Sequence, residues 1–182
     1  MLNKDLQKIF DKYKKDNWLS GNFIPPEEKE KYRIMFIGQK PASYFTKNPD
    51  LEYLGNYNAT FIDMGFQCFL KKYKLGKIYV TDMVKTKGDP GVDFKKEWNS
   101  NLDFKKCLEE EIIQYKPKVI VLMGNEVKEF FNENFGNLNI LKKKIYHPAY
   151  LCMNPNATIK WDKQFKELRK LIKKTIKNHD KN

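Results

Sequence analysis

The side chains able to do chemistry gather in four short polar segments: GQKPAS at 38–43, TDMVKTKGDPG at 81–91, GNE at 124–126 and HPAYL at 147–151. Together they offer an imidazole (His147), a carboxylate (Asp82), an amide (Gln39) and several lysines, a set suited to hydrogen bonding and proton transfer on a polar ligand. Metal chemistry is not indicated. Cys68, Cys107 and Cys152 lie far apart without a CxxC pair, which favours neither a zinc site nor a disulfide framework, so no metal and no cofactor are expected. A phosphate-cradling loop of the GxGxxG or GxxxxGK[ST] type is also missing, which disfavours an unrelated flavodoxin-like or nucleotide-binding protein.

These segments need a scaffold that brings them together, and each follows a short apolar run. RIMFIG (33–38), KIYVTD (77–82), KVIVLMG (118–124) and the weaker KKKIYHP (142–148) read as strands ended by Gly, Asp or Pro. Helical spacing separates them, at 59–73, at 103–115 through Leu108, Ile112 and Tyr115, and at 125–134. An amphipathic helix over 4–15 precedes the strands, and another over about 159–178 closes the chain with Phe165, Leu168, Ile172 and Ile176 on one face. GNFIPPEEKEKY reads as a loop. The alternation of strand and helix predicts an α/β three-layer sandwich: a four-stranded parallel sheet with right-handed crossovers, flanked by helices. In such open sheets a ligand sits beyond the carboxyl ends of the strands, which is where all four polar segments fall. The plain alternative is that every strand must end in some turn, and Gly and Pro are ordinary turn residues.

The 182 residues, 41% of them hydrophobic, suffice for one core, so a single domain over 1–182 is expected, with about 178–182 frayed. The formal charge is +12, from 35 Lys and Arg against 23 Asp and Glu. That balance favours a polyanionic partner, with nucleic acid ahead of an anionic membrane surface. The competing reading is a chain that places Lys and Asn wherever a solvated residue will do. No apolar stretch approaches a membrane span and the N-terminus lacks a signal-like apolar region, so a soluble, cytoplasmic, monomeric protein is expected.

Read in order, IMFIGQKPAS, YVTDMVKT, CLEEEIIQYKPKVIVLMGN and IYHPAYL resemble the successive signature segments of the uracil-DNA glycosylase superfamily across residues 33–151. The resemblance implies a base pocket at the carboxyl edge of the sheet and DNA, single- or double-stranded, as partner. Gly38, Gln39 and Pro41 match the first motif, whose backbone contacts base and sugar in the family. His147 matches the histidine that stabilises the leaving base as negative charge develops on it. A preorganised donor there lowers the barrier, and losing one costs about 3–4 kcal/mol in comparable sites. Pro148, Ala149, Tyr150 and Leu151 match the loop that fills the space left by the flipped nucleotide, Leu151 being the better wedge. Tyr150 and Leu151 could equally cap the core.

Four residues depart from the family pattern. Gln39 and Lys40 stand where many members carry an acid just after the motif-one glycine, which leaves open a binding module without turnover. Asp63 and Asp82 are possible substitutes; Lys40 could act as an amine nucleophile, though a phosphate-contacting or solvated lysine is the simpler reading. Asp82 stands where the family has Asn. A carboxylate only accepts, so it suits the amino group of cytosine better than uracil, unless Asp82 merely caps a turn. Ala42 replaces a pocket-closing Tyr and leaves room for a 5-substituent, so a modified cytosine joins uracil as a candidate base, and repair and defence against foreign DNA both stay open. Tyr53, ahead of Phe45 and Tyr57, is the expected stacking platform. Lys85 and Lys87 are expected phosphate contacts, Asn125 a phosphate contact or helix cap. The iron–sulfur branch is excluded, since it needs four cysteines and the chain has three.

Overall fold

In a computed structural model the four apolar runs form parallel strands: β2 (Arg33–Gly38), β3 (Lys77–Asp82), β4 (Val119–Met123) and β5 (Leu141–Ile145). The structure describes residues 8, 9, 12, 22–24, 33–40, 61–75, 77–86, 93–150, 154 and 156–179. A fifth strand, β1 (Asn22–Ile24), pairs antiparallel with β3 at the sheet edge, giving the order β1-β3-β2-β4-β5. Its sequence reads as loop because three residues between Gly21 and Pro25 are too few to show a period.

Every residue of β4 is buried, as is every residue of β2 and β3 after the first, because helices cover both sheet faces. α1 (Phe61–Tyr73) and α5 (Ala157–His179) lie on one face, where Phe66, Trp161 and Phe165 pack on Ile34, Phe36, Val80 and Val121. The rings meet edge-on, Phe66 lying 5.5 Å from Phe36 and 5.9 Å from Trp161. On the other face α3 (Leu102–Tyr115) and α4 (Asn125–Phe135) cover Met35, Ile37, Tyr79, Ile120 and Leu122. Ile9, helical with Lys8 and Lys12, packs on this second core, in keeping with the expected N-terminal helix. Among the described residues no helix is long and apolar enough to cross a membrane.

A short helix absent from the sequence reading, α2 (Phe94–Ser100), completes this layer. Asp93 caps it by accepting from Lys95 N at 3.0 Å, and Phe94 and Trp98, one turn apart, bury themselves against Phe130. The cap and the i, i+4 aromatic pair were its available signals; the Gly- and Pro-rich run before it hid them. α5 begins two residues before the expected 159 and continues through His179, into the stretch expected to fray. β5 ends at Ile145, short of the expected 148. Its last ladder contact is Gly124 N–H donating to Ile145 O at 2.9 Å, after which the chain turns at Pro148.

β5, Leu-Lys-Lys-Lys-Ile, forms the far edge of the sheet and is only half buried. Its lysines discourage pairing with another strand. The sequence order reverses direction between β2, which leads to β3 on one side, and β4 on the other. The crevice at that reversal is the ligand position such sheets favour.

Candidate active site

The carboxyl ends of β3, β2, β4 and β5 stand side by side, so Asp82, Gly38, Gly124 and the His147 turn share one edge of the sheet. Gly38 is the register partner of Asp82. The pairing continues past the strands: Met83 N donates to Gly38 O and Val84 N to Gln39 O, each at 3.0 Å. These bonds fix the backbone of the first motif against the exit of β3. Asp82 is 3% exposed, and by strand alternation it shares the face of Ile78 and Val80.

Gly124 caps α4 at φ 108°, a conformation disfavoured for any residue with a Cβ, and a Cβ there would stand 3.8 Å from that of His147. Asn125 is therefore not the cap. It is the first, exposed residue of α4, and the cap is Gly124, which has no side chain to contribute.

His147 opens a tight turn in which Tyr150 N donates to His147 O at 2.9 Å. Within the turn, Ala149 N donates to His147 Nδ1 at 3.2 Å. An imidazole nitrogen that accepts carries no proton, so the neutral ring bears its hydrogen on Nε2. The residue keeps an accessible surface, while the surrounding protein desolvates the ring and holds its pKa below the ordinary 6.5. A neutral donor at Nε2 results. Pro148 is buried within this turn and leaves little surface for a duplex, while Ala149 and Tyr150 remain half exposed. Tyr150 stacks on Tyr146 with ring centres 4.4 Å apart and packs against the α1–α5 core.

Gln39 is half buried and donates from Nε2 to Glu126 Oε2 at 2.6 Å. The carboxylate can only accept, which fixes the amide orientation and leaves Gln39 Oε1 as an acceptor. Glu126 lies in the first turn of α4, where the helix dipole favours a negative charge. Sequence reading missed this residue as a partner, although it stands inside GNE.

Two lysines are corrected. Lys85, expected at phosphate, is completely buried: its Nζ donates to Glu111 Oε2 at 2.6 Å, Thr81 Oγ1 at 2.7 Å and Asp82 O at 2.6 Å. Tyr79 OH and Thr81 Oγ1 donate to the other oxygen of Glu111, so the buried pair is satisfied on both sides. Burial and the Glu111 charge push the Tyr79 phenol well above its ordinary pKa. Lys40, expected to contact DNA or water, has a side chain only 6% exposed and pairs with Glu97 of α2 at 2.5 Å. Glu97 also accepts from Thr86 Oγ1. Both lysines tie the strand-end segments to the helices behind them. Pro41, Ala42, Phe45, Tyr53, Tyr57, Lys87 and Leu151 lie outside the described residues, and Asp63 lies in α1 without a described side chain.

The family model described as the uracil DNA glycosylase superfamily matches residues 25–174. The chain belongs to the uracil-DNA glycosylase superfamily. That match takes in all four parallel strands and the strand ends at which Gly38, Asp82, Gly124 and His147 stand. No curated protein matches the chain.

Proposed function

We propose that this chain is a DNA glycosylase that flips a pyrimidine out of DNA and hydrolyses its N-glycosidic bond without a metal. The observation carrying the reading is the turn bond from Ala149 N to His147 Nδ1, which leaves a neutral Nε2–H to donate at the mouth of the cleft. Bond cleavage sends the base away as an anion and leaves an oxocarbenium-like sugar, so this donor strengthens as charge develops on the base oxygen.

Gln39 and Glu126 take the place of the missing motif-one acid. Gln39 Oε1 orients the attacking water, and the Glu126 charge, relayed through the 2.6 Å bond, favours the positive sugar. An amide cannot take the proton from water, but a sugar that is already cationic needs the water placed more than it needs it deprotonated. Lys40 is engaged with Glu97 and almost wholly covered, which supports hydrolysis over attack by a lysine amine.

Asp82 reads the Watson–Crick edge. Its buried place beside Gly38 supports that role, and a carboxylate there favours a cytosine-type base, plain or 5-modified, over uracil. The replacement of the usual acid by Gln39 favours one second reading, a module of the same fold that binds DNA without turnover.

Incubation with oligonucleotides bearing uracil, hypoxanthine, mismatched thymine, or plain and 5-modified cytosines, scored for alkali-labile abasic sites, separates the two. Abasic sites at the position of one class of pyrimidine establish the enzyme. DNA binding without abasic sites on any substrate establishes the module. A borohydride-trapped adduct lost in Lys40→Ala would instead make the protein a lyase.

A further inference from the structure

Four side chains outside the strand-end cleft line up beside His147 where β5 meets α5. Tyr146 and Tyr150 stack at 4.4 Å and 18°. Lys144 Nζ sits 4.7 Å from the centre of the Tyr146 ring, and Lys160 Nζ lies off the hydroxyl edge of Tyr150, 5.6 Å from the ring centre and donating to the hydroxyl at 3.0 Å. Tyr146 holds Lys144 by a cation–π contact and Tyr150 holds Lys160 through its hydroxyl, which lowers the entropy lost when each ammonium later meets an anion.

The stack is anchored. Tyr146 N donates to Gln164 Oε1 of α5 at 2.9 Å, and Tyr150 is bonded through its own N–H to His147 O. Among the described residues neither Lys144 nor Lys160 has a carboxylate partner, although neighbouring Lys143 pairs with Glu167 and Lys166 with Asp162. Lys160 lies in the first turn of α5, which carries no acidic residue, so the positive end of that helix adds to its field. Lysines with no carboxylate partner among the described residues, held on an aromatic shelf beside His147 in a strongly basic chain, suit a polyanion that runs past the strand ends.

We propose that Lys144 and Lys160, braced on Tyr146 and Tyr150, form a two-point clamp on backbone phosphates of the DNA strand beside the flipped nucleotide. The proposal rests on the reading of the chain as a DNA-binding protein. Because the shelf adjoins His147 in sequence and shares its turn, phosphate capture there sets the register of the strand over the cleft.

The test is the salt dependence of binding to an unmodified duplex, measured for the whole chain, for Lys144→Gln/Lys160→Gln and for Lys173→Gln/Lys174→Gln. The last pair makes the same charge change in exposed residues about 20 Å further along α5. Two lost phosphate contacts lower the log–log salt slope by about 1.8 in the first variant, and the second leaves it near the wild-type value. Equal slopes in wild type and the Lys144/Lys160 variant overturn the clamp, as does an equal fall in both variants, which would mark a diffuse charge effect. Wild-type protein that binds no DNA at low salt would instead overturn the DNA-binding reading beneath it. Tyr150→Phe, which removes the hydroxyl that holds Lys160 while keeping the ring, lowers affinity severalfold under the proposal and leaves the slope in place.

Discussion

The backbone N–H of Ala149 points at Nδ1 of His147 from 3.2 Å, so the turn that carries the histidine also chooses its tautomer. Protonating Nδ1 would set two donors against each other, and the surrounding protein, which desolvates the ring, opposes the charge as well. The folded pKa therefore lies below 6.5, and the sign of the linkage follows: the stability contribution is full above pH 6.5 and is lost as pH falls from there through the lowered folded value. An NMR titration should place the His147 midpoint below 6.5, with an Nε2–H tautomer at pH 7.5. A midpoint at or above 6.5 would contradict the neutral-donor assignment.

Gln39 and Glu126 form one unit at 2.6 Å, and their substitutions should not add. Glu126→Gln keeps the size and removes the charge; it is expected to lower the single-turnover rate about ten- to a hundredfold with DNA affinity unchanged. Gln39→Ala should cost at least as much, and the double variant no more than Gln39→Ala. Fully additive losses would separate the two residues.

Lys85 and Glu111 are both completely buried, so removing one leaves the other charged and unpaired. Lys85→Met should cost about 3–5 kcal/mol, a fall in Tm on the order of 10 °C for a chain of this length. Lys85→Met/Glu111→Met should recover most of it. DNA affinity per folded molecule should hardly change, which a phosphate-contacting lysine would not allow. Thermal melts and salt-titrated binding on the same samples decide.

Asp82→Asn changes a pure acceptor into an acceptor plus donor at nearly constant size. A buried reader with the wrong pattern leaves polar groups unpaired at about 1–3 kcal/mol each. Relative rates should thus shift towards uracil by roughly tenfold to a few hundredfold. Efficient uracil excision by the wild type, with no change in preference for Asp82→Asn, would reduce Asp82 to a turn residue.

β2, β3 and β4 were legible because their apolar runs are continuous and end in Gly or Asp, and β2 and β3 match the sequence reading residue for residue; β5, with three lysines, was legible only from its place before Pro148. β1 and α2 were not, one being too short for any period and the other hidden by the Gly- and Pro-rich sequence before it. Among site residues, the positions of Gly38, Asp82 and His147 at the strand ends followed from order alone. Partners did not. That Lys85 and Lys40 turn inward depends on Glu111 and Glu97, which lie 26 and 57 residues further along the chain and on helices packed behind the sheet. A lysine in a polar segment reads as solvated until the carboxylate that buries it is placed. The Gln39–Glu126 contact, across 87 residues, was hidden for the same reason.

The most direct test of the whole account is His147→Ala, assayed by single-turnover excision and by binding to the same oligonucleotide. The donor acts on charge that appears only as the base leaves, so the rate should fall about a hundred- to a thousandfold while DNA affinity stays within about twofold of wild type. Equal losses in rate and affinity, or a rate unaffected by the substitution, would contradict the assignment of His147 as the group that stabilises the departing base.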